Sequence, residues 1–134
     1  MATALKLAAH RRSDVRVVQT IEVPINLTID AALPEAELKA SMAIETARQW
    51  AARGQRVRGQ IEKVRPGEAG HRIVQIAEKL HADAIVMPMP ARRPTSKLLS
   101  KTLATVLAKR PCRVIIDSAP AYPLMTPEAA RAAA

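Results

Sequence analysis

The sequence has almost no aromatic residues: one tryptophan, one tyrosine and no phenylalanine among 134 residues. Its hydrophobic content of 49% still allows a core, which must be built from Ala, Val, Ile, Leu and Met. The scarcity of aromatic side chains leaves little on which nucleic-acid bases could stack, and no nucleic-acid recognition motif appears. We therefore expect no specific nucleic-acid binding.

Cysteine is also scarce, because Cys112 is the sole example. One cysteine excludes an internal disulfide and suits a reducing compartment. No apolar run approaches the roughly 18 residues of a membrane-spanning helix, and the N-terminus lacks the hydrophobic region of a signal peptide. The sequence therefore predicts a cytoplasmic protein, and its length fits a single domain.

Short apolar runs alternate with amphipathic segments along the first 117 residues. The apolar runs predict strands at residues 15–23, 56–64, 83–87 and 112–117. Apolar residues at helical spacing predict helices at residues 1–12, 35–53 and 68–81, and a last one after Ser96 that ends at Arg110. Strands joined by helical crossovers should be parallel, which predicts an α/β fold of three layers. The Pro- and Ala-rich residues 118–134 are expected to form a flexible tail.

Three local features add detail to this prediction. Gly54 is expected to end the second helix, where a left-handed residue is favourable. Residues 56–64 are expected to form an edge strand with Val57 and Ile61 inward and the intervening polar residues in water. Leu80 is expected on the inward face of the third helix.

Parallel α/β sheets bind ligands beyond the carboxyl ends of their strands, so the loop from Pro88 to Ser96 is the predicted functional region. Residues 91–134 contain eight Lys or Arg and two acidic residues, which is +6 of the net charge of +9. The candidate anion-binding residues beside the start of the last predicted helix are Arg92, Arg93, Ser96, Lys97 and Lys101. Two interpretations stay open: a site for a nucleotide phosphate, lipid headgroup or acidic partner segment, or a solvated basic face.

Residues that often carry catalysis are not arranged for it in this sequence. His10, His71 and His81 lack metal-ligand spacing, and Cys112 begins a predicted buried strand. Ser96 and Ser100 have no nucleophile-elbow context, and no carboxylate pair has a catalytic spacing. We therefore expect neither an enzyme nor a metal site.

The stretch from Asp83 to Asp117 resembles the C-terminal half of a universal stress protein domain. The resemblance covers residues 1–117 and implies a Rossmann-like, adenine nucleotide alpha hydrolase-like fold with a parallel sheet. Nucleotide-binding members share the pattern Gly, two residues, Gly, nine residues, Gly, Ser/Thr. Here Pro88 stands at the first glycine, residues 89–93 contain no glycine, and Lys101 replaces the last one. Thr102 matches the Ser/Thr, and the resemblance therefore adds it to the candidate anion-binding residues.

Loss of these glycines bears directly on nucleotide binding. Glycine lets backbone N–H groups approach phosphate closely, whereas proline has no N–H to offer. The resemblance therefore implies a non-catalytic binding or regulatory domain with a degenerate loop and no cofactor, ATP being disfavoured. The alternative is a nucleotide-binding domain in which Arg and Lys side chains hold the phosphates.

The resemblance also bears on partners. The family's central first strand, with its adenine-contacting Asp, has no counterpart here, since the first predicted helix begins near Met1. Either the two halves close up, a partner supplies a strand, or the chain is part of something longer. The family's pairing through the strand at Cys112 to Ile116 implies a homodimer, or else a partner chain or domain at a sheet edge.

A narrower resemblance concerns three segments, at residues 21–37, 65–79 and 87–94. They are similar to universal-stress-like domains at the cytoplasmic end of some amino-acid and polyamine permeases. This implies contact with a membrane only through a fused or associated transporter.

Overall fold

A computed structural model of the chain describes residues 2–11, 13–88 and 97–117. Helices and strands alternate in the order α1 (Ala2–Arg11), β1 (Val15–Glu22), α2 (Pro34–Trp50), β2 (Val57–Val64), α3 (Ala69–Lys79), β3 (Ala84–Pro88), α4 (Lys97–Lys109) and β4 (Arg113–Asp117). The predicted alternation is confirmed, with most ends within two or three residues of the predicted ones.

The four predicted strands are confirmed, and they are arranged as two parallel pairs. β1 pairs with β2 from Val15 opposite Val57 to Glu22 opposite Val64. β3 pairs with β4 from Ala84 opposite Arg113 to Pro88 opposite Asp117. Within the described ranges no hydrogen-bonded ladder joins the pairs, so the halves have not closed into one continuous sheet.

Helices cover both faces of the strands, as predicted. Two neighbouring residues of β2 show this, because successive side chains of a strand point to opposite faces. Lys63 pairs with Glu37 of α2 at 2.7 Å, whereas Glu62 lies 3.8 Å from Arg72 of α3. The α2 and α3 helices therefore lie on opposite sides of β2.

Each half of the chain has its own apolar cluster. The first joins α1, β1 and α2 through the buried residues Leu5, Ala8, Val15, Val17, Ile44 and Ala47. The second joins α3, β3 and α4 through Val74, Met87 and Val106, with Ile73, Ile85, Leu103 and Val114 packed around them. Helix α3 also contacts β1 and β2, so it lies across both strand pairs.

Helix α2 ends three residues earlier than predicted, at Trp50 rather than at Arg53, so Gly54 is not the residue that stops it. The Gln55 side chain explains the early end: it accepts from the Ala52 N–H at 3.0 Å and donates to the Leu5 carbonyl at 2.7 Å. These bonds hold the chain in a turn away from the helix. Gly54 lies in that turn with a φ of 81°, a conformation that favours glycine.

The predicted solvent face of β2 is also wrong in part, since Ile61 is exposed and Val64 is buried. Gly59 leaves room on the α2 side that the Ile44 side chain fills, so glycine replaces an inward apolar residue there. Lys63 occupies the same face because Glu37 holds its ammonium group. The Lys63–Glu37 ion pair and the packing of Ile44 against Gly59 therefore explain why β2 does not simply alternate between apolar inward and polar outward residues.

Two smaller corrections concern residues at the ends of elements. Leu80 is exposed, because α3 ends at Lys79 and the chain then turns at His81 with a φ of 51°. Pro88 was expected to begin the irregular loop but is the last residue of β3. Proline fits that place because its fixed φ is compatible with extended backbone at a strand edge.

Candidate functional site

The carboxyl ends of β1 and β2 meet at a loop that basic side chains hold in place. One guanidinium nitrogen of Arg65 donates to the carbonyl oxygens of Pro24 at 2.8 Å and Leu27 at 2.7 Å. Lys63 donates to the carbonyl oxygen of Ala31 at 2.7 Å. Hydrogen bonds from charged donors are stronger than neutral ones, so the β1–α2 loop, residues 23–33, is firmly anchored to β2.

The same lysine organises the start of α2. Glu37 accepts from Lys63 at 2.7 Å and from the Leu33 backbone N–H at 3.3 Å. The hydrogen bond from Lys63 lowers the pKa of Glu37 below its ordinary value; partial burial opposes the shift, and the charge of Lys63 and the Leu33 N–H assist it. A carboxylate in the first turn of α2 also suits the positive end of the helix dipole.

The turn between β2 and α3 brings Lys101 of α4 to the same end of the sheet. Gly67 has a φ of 83°, and its N–H makes a long hydrogen bond of 3.5 Å to the Glu22 carboxylate. The Lys101 ammonium nitrogen lies only 2.7 Å from the point where a Cβ on Gly67 would stand. The backbone conformation of Gly67 therefore favours glycine, and the flexible Lys101 side chain lies directly above it.

Helices α3 and α4 approach closely directly behind this turn. A Cβ added at Gly70 would lie 2.7 Å from the Thr105 Cβ and 3.0 Å from the Thr102 carbonyl oxygen. Thr102 itself is 9% exposed. The small residue at position 70 thus lets α4 pack against α3 with Thr102 between the two helices.

The structure places two of the predicted site residues at the carboxyl ends of the strands. Lys101 is exposed and makes no hydrogen bond or ion pair with another described residue. Thr102 is buried beside it and has an interaction partner. Arg92, Arg93 and Ser96 lie outside the described residues, as does the side chain of Lys97, the first residue of α4.

The basic residues that sequence reasoning missed are Lys63 and Arg65. The sequence predicts a strand and a turn at these positions, yet the two side chains hold the β1–α2 loop. The Arg-Pro-Gly turn directly after β2 could have pointed to them. A turn at the carboxyl end of a strand places its residues at the end of the sheet where α/β proteins bind ligands. Their partners are backbone carbonyls, which no sequence pattern identifies.

Of the remaining candidates, His71 and His81 are exposed. The side chains of His10 and Ser100 lie outside the described part of the structure. Partial burial raises the pKa of the Cys112 thiol, the negative charge of Asp83 adds to this, and the Ile85 N–H opposes it. A thiol with a raised pKa stays protonated near neutrality and is a poor nucleophile.

Among the described residues, no group of three or more His, Cys, Asp or Glu side chains is placed to hold a metal ion. No described helix combines the length and the apolar character needed to cross a bilayer.

Parallel strand pairs that alternate with helices on both faces define an α/β domain of the Rossmann-like class. The universal stress protein family model matches residues 1–117, so the chain belongs to that family. It is similar to the structure of a universal stress protein from Archaeoglobus fulgidus. That match has 28% identity and a TM-score of 0.64, and covers 86% of this chain and 84% of the other. No curated protein matched the chain.

Proposed function

We propose that this universal stress protein domain is a non-catalytic binding or regulatory module that has lost the usual phosphate cradle. The observation that carries the proposal is the replacement of glycine at the two described glycine positions of the motif. Pro88 has no N–H to donate. Lys101 stands where the motif has its last glycine, and its ammonium group lies over Gly67 of the β2–α3 turn. Of the described motif positions, only the Ser/Thr is retained, as the buried Thr102.

The magnitudes favour weak nucleotide binding. Each hydrogen bond from a backbone donor to a charged group contributes about 1.5–3 kcal/mol. Pro88 and Pro94 of the loop have no N–H, and losing two such bonds would cost about 3–6 kcal/mol. An exposed charge pair returns only about 0–1 kcal/mol and is screened by salt. The basic side chains Arg92, Arg93, Lys97 and Lys101 would therefore recover only part of this loss.

Catalysis is tested by following phosphate release from ATP over several hours. We expect no release above buffer, and no difference between the protein and its Lys101→Met variant. Sustained turnover that the variant abolishes would contradict a non-catalytic role. Ser41→Ala, on the exposed face of α2, is the matched control for handling and purity.

A second candidate is nucleotide binding through side-chain charge, favoured by the exposed and unpaired Lys101. This candidate has a distinctive salt dependence, because exposed charges are screened within about 10 Å at 0.1 M ionic strength. An affinity for ATP that falls steeply with salt and weakens further in Lys101→Met would support it. Salt-independent binding would exclude it.

The same proposal includes a cytoplasmic setting and a partner. The permease-like segments support a role as the cytosolic module of a transporter. Immunoblots of membrane and soluble cell fractions test this role through the mass and location of the native protein.

The β4 strand pairs only with β3 among the described strands, and its open edge supports a homodimer or a partner chain there. Sedimentation equilibrium tests this pairing, and a stable monomer at high micromolar concentration would count against a homodimer.

A further inference from the structure

Charge is divided unevenly between the two ends of the strands. We define the amino-end face as the described residues that join each helix to the next strand, with the first two residues of that strand: 13–16, 51–58, 80–85 and 110–114. Six arginines and two aspartates lie on this face: Arg16, Arg53, Arg56, Arg58, Arg110 and Arg113, with Asp14 and Asp83. Two basic and four acidic residues lie in the matching described stretches at the carboxyl ends: 21–33, 63–68, 87–88 and 116–117. Basic charge in the described structure is therefore concentrated opposite the candidate site.

The six arginine side chains of the amino-end face are exposed, and most of them are unpaired. A guanidinium nitrogen of Arg56 lies 3.8 Å from an Asp14 carboxylate oxygen, and Arg16 donates to the Gln60 side chain at 3.1 Å. The side chains of the other four make no hydrogen bond or ion pair with another described residue. Arg16 and Arg58 stand directly opposite each other on neighbouring strands, and like charges so placed are destabilising. A contribution to stability therefore does not explain this surface.

Backbone conformation on the same face supports that conclusion. Among the described non-glycine residues, only His81 and Arg110 have a positive φ, of 51° and 37°, and both follow helix ends. A left-handed residue after a helix is usually glycine. Positive charge at a helix end suits the dipole, but Lys79 and Lys109 already provide it in the last turns of α3 and α4. Arg110 therefore carries a guanidinium group at a position where glycine would be more stable.

The two strand pairs present these arginines in the same direction. Lys101, in the second turn of the helix that follows β3, lies over the turn that follows β2. The carboxyl ends of both pairs thus lie at one end of the molecule, and the amino ends lie at the other. Helices α3 and α4 pack side by side, Gly70 against Thr105 and Val74 against Val106. Because both helices lead into strand starts, their C-terminal ends lie together at the amino-end face.

Exposed leucines accompany the charges at these helix ends. Leu80, directly after α3, is 42% exposed, and Leu107, in the last turn of α4, is 37% exposed. Guanidinium groups bind phosphate through paired hydrogen bonds, and leucines gain free energy at the acyl boundary of a bilayer. A nucleic acid would use the charges but not the leucines, and the amino-end face has no aromatic residue on which a base could stack.

We infer that the amino-end face is a docking surface for the anionic headgroups of a lipid membrane. Charge complementarity carries the inference, because basic residues close to an anionic leaflet are attracted to it, and the adjacent leucines add an apolar contact. The inference goes beyond the proposed function, since it concerns the opposite end of the strands and requires neither a nucleotide nor a transporter.

Sedimentation with sucrose-loaded vesicles tests the docking surface. We expect the protein to bind vesicles of phosphatidylcholine mixed with phosphatidylserine, and not vesicles of phosphatidylcholine alone. Binding should fall as salt is raised toward about 1 M, where charges are screened within about 3 Å. Equal binding to the two kinds of vesicle, or binding to neither, would overturn the inference. Tighter binding to a DNA duplex at the same phosphate concentration would also overturn it, in favour of nucleic acid.

Paired variants locate the contact. Arg58→Gln should weaken vesicle binding about fivefold, the ratio that about 1 kcal/mol per basic residue produces. Lys39→Gln, which removes an exposed charge of α2, should leave binding unchanged. Leu80→Ser should weaken binding severalfold and Leu38→Ser should not, although Leu38 is more exposed, at 63%. Equal effects within either pair would show that the amino-end face is not the site of contact.

Arg110→Gly separates binding from stability. Glycine at a φ of 37° should raise the urea midpoint of unfolding, while loss of the guanidinium group should weaken vesicle binding about fivefold. A more stable variant that binds vesicles as tightly as the parent would contradict the inference. None of these measurements involves ATP, so this inference and the proposed function fail separately.

Discussion

The two halves of the molecule repeat one strand–helix–strand plan but use their basic residues differently. In the N-terminal half, Lys63 and Arg65 are engaged by backbone carbonyls and by Glu37. In the C-terminal half, Lys101 reaches the same end of the sheet and has no partner among the described residues. Basic residues at the carboxyl ends of the strands therefore differ in role. Lys63 and Arg65 hold a loop in place, whereas Lys101 is available for binding.

The halves also differ in the size of their apolar cores. The N-terminal strands are eight residues long, whereas the C-terminal strands have five residues, and the fully buried part of the second cluster is three side chains. The C-terminal half should therefore depend more heavily on single residues. The predictions below test that contrast, beginning with the largest expected effect.

Met87→Ala should be the most damaging substitution, because Met87 is buried between Val74 and Val106 in the smaller cluster. We expect a loss of about 2–5 kcal/mol in the free energy of unfolding, measured by urea denaturation. Leu107→Ala is the matched control, since Leu107 is 37% exposed on α4. Equal losses in the two variants would show that the second cluster is not a core.

Gly70→Ala should destabilise the contact between α3 and α4. The added methyl would meet the Thr105 Cβ and the Thr102 carbonyl, an overpacking that costs about 1–3 kcal/mol. Alanine's helix propensity would return only about 0.5–1 kcal/mol. Gln75→Ala, on an exposed position of α3, controls for propensity, and a Gly70→Ala variant more stable than the parent would disprove the close approach.

Changes in the two clusters should be independent of each other. Ile44→Val in the N-terminal cluster should cost about 0.5–1.5 kcal/mol, and combining it with Met87→Ala should give additive losses within about 0.3–0.5 kcal/mol. Urea denaturation of the two single variants and the double variant measures this. A larger deviation would mean that α3 couples the halves more tightly than the separate clusters indicate.

The smallest expected effect concerns the pH dependence of the β1–α2 loop. Because the pKa of Glu37 is lowered in the folded protein, its contribution is present above the ordinary glutamate pKa of about 4.3. That contribution is lost as the pH falls through the lower, folded value. An NMR titration of the Glu37 carboxyl should show a midpoint below the ordinary one, and Lys63→Met should move it upward. An unchanged midpoint in that variant would mean that Lys63 is not the cause.

Much of the fold was predictable because its signals are local. Runs such as Ala84–Met87 identify buried strands, and Lys109, Arg110 and Pro111 mark the end of α4. Exceptions arise where distant residues decide the outcome: Gln55 reaches Leu5, and Ile44 fills the space at Gly59. No pattern within a single segment contains those contacts.

The candidate site was predictable to a smaller extent. Lys101 and Thr102 were found because a family pattern assigns positions to them. Lys63 and Arg65 were not, since their partners are main-chain carbonyls of a loop that has no sequence motif. The sequence also left open whether the four strands form one sheet or two separate pairs. Strand pairing at the edge of β1 depends on which segment lies beside it, and no pattern within β1 specifies that segment.

Calorimetric titration with ATP at about 150 mM salt tests the central claim most directly, namely that this family member has lost its phosphate cradle. The account predicts no binding tighter than roughly 100 μM, which corresponds to about −5.5 kcal/mol, and further weakening as salt is added. A low-micromolar affinity that does not change with salt would contradict it, since such binding requires a backbone donor that Pro88 lacks and a close approach that the Lys101 side chain obstructs.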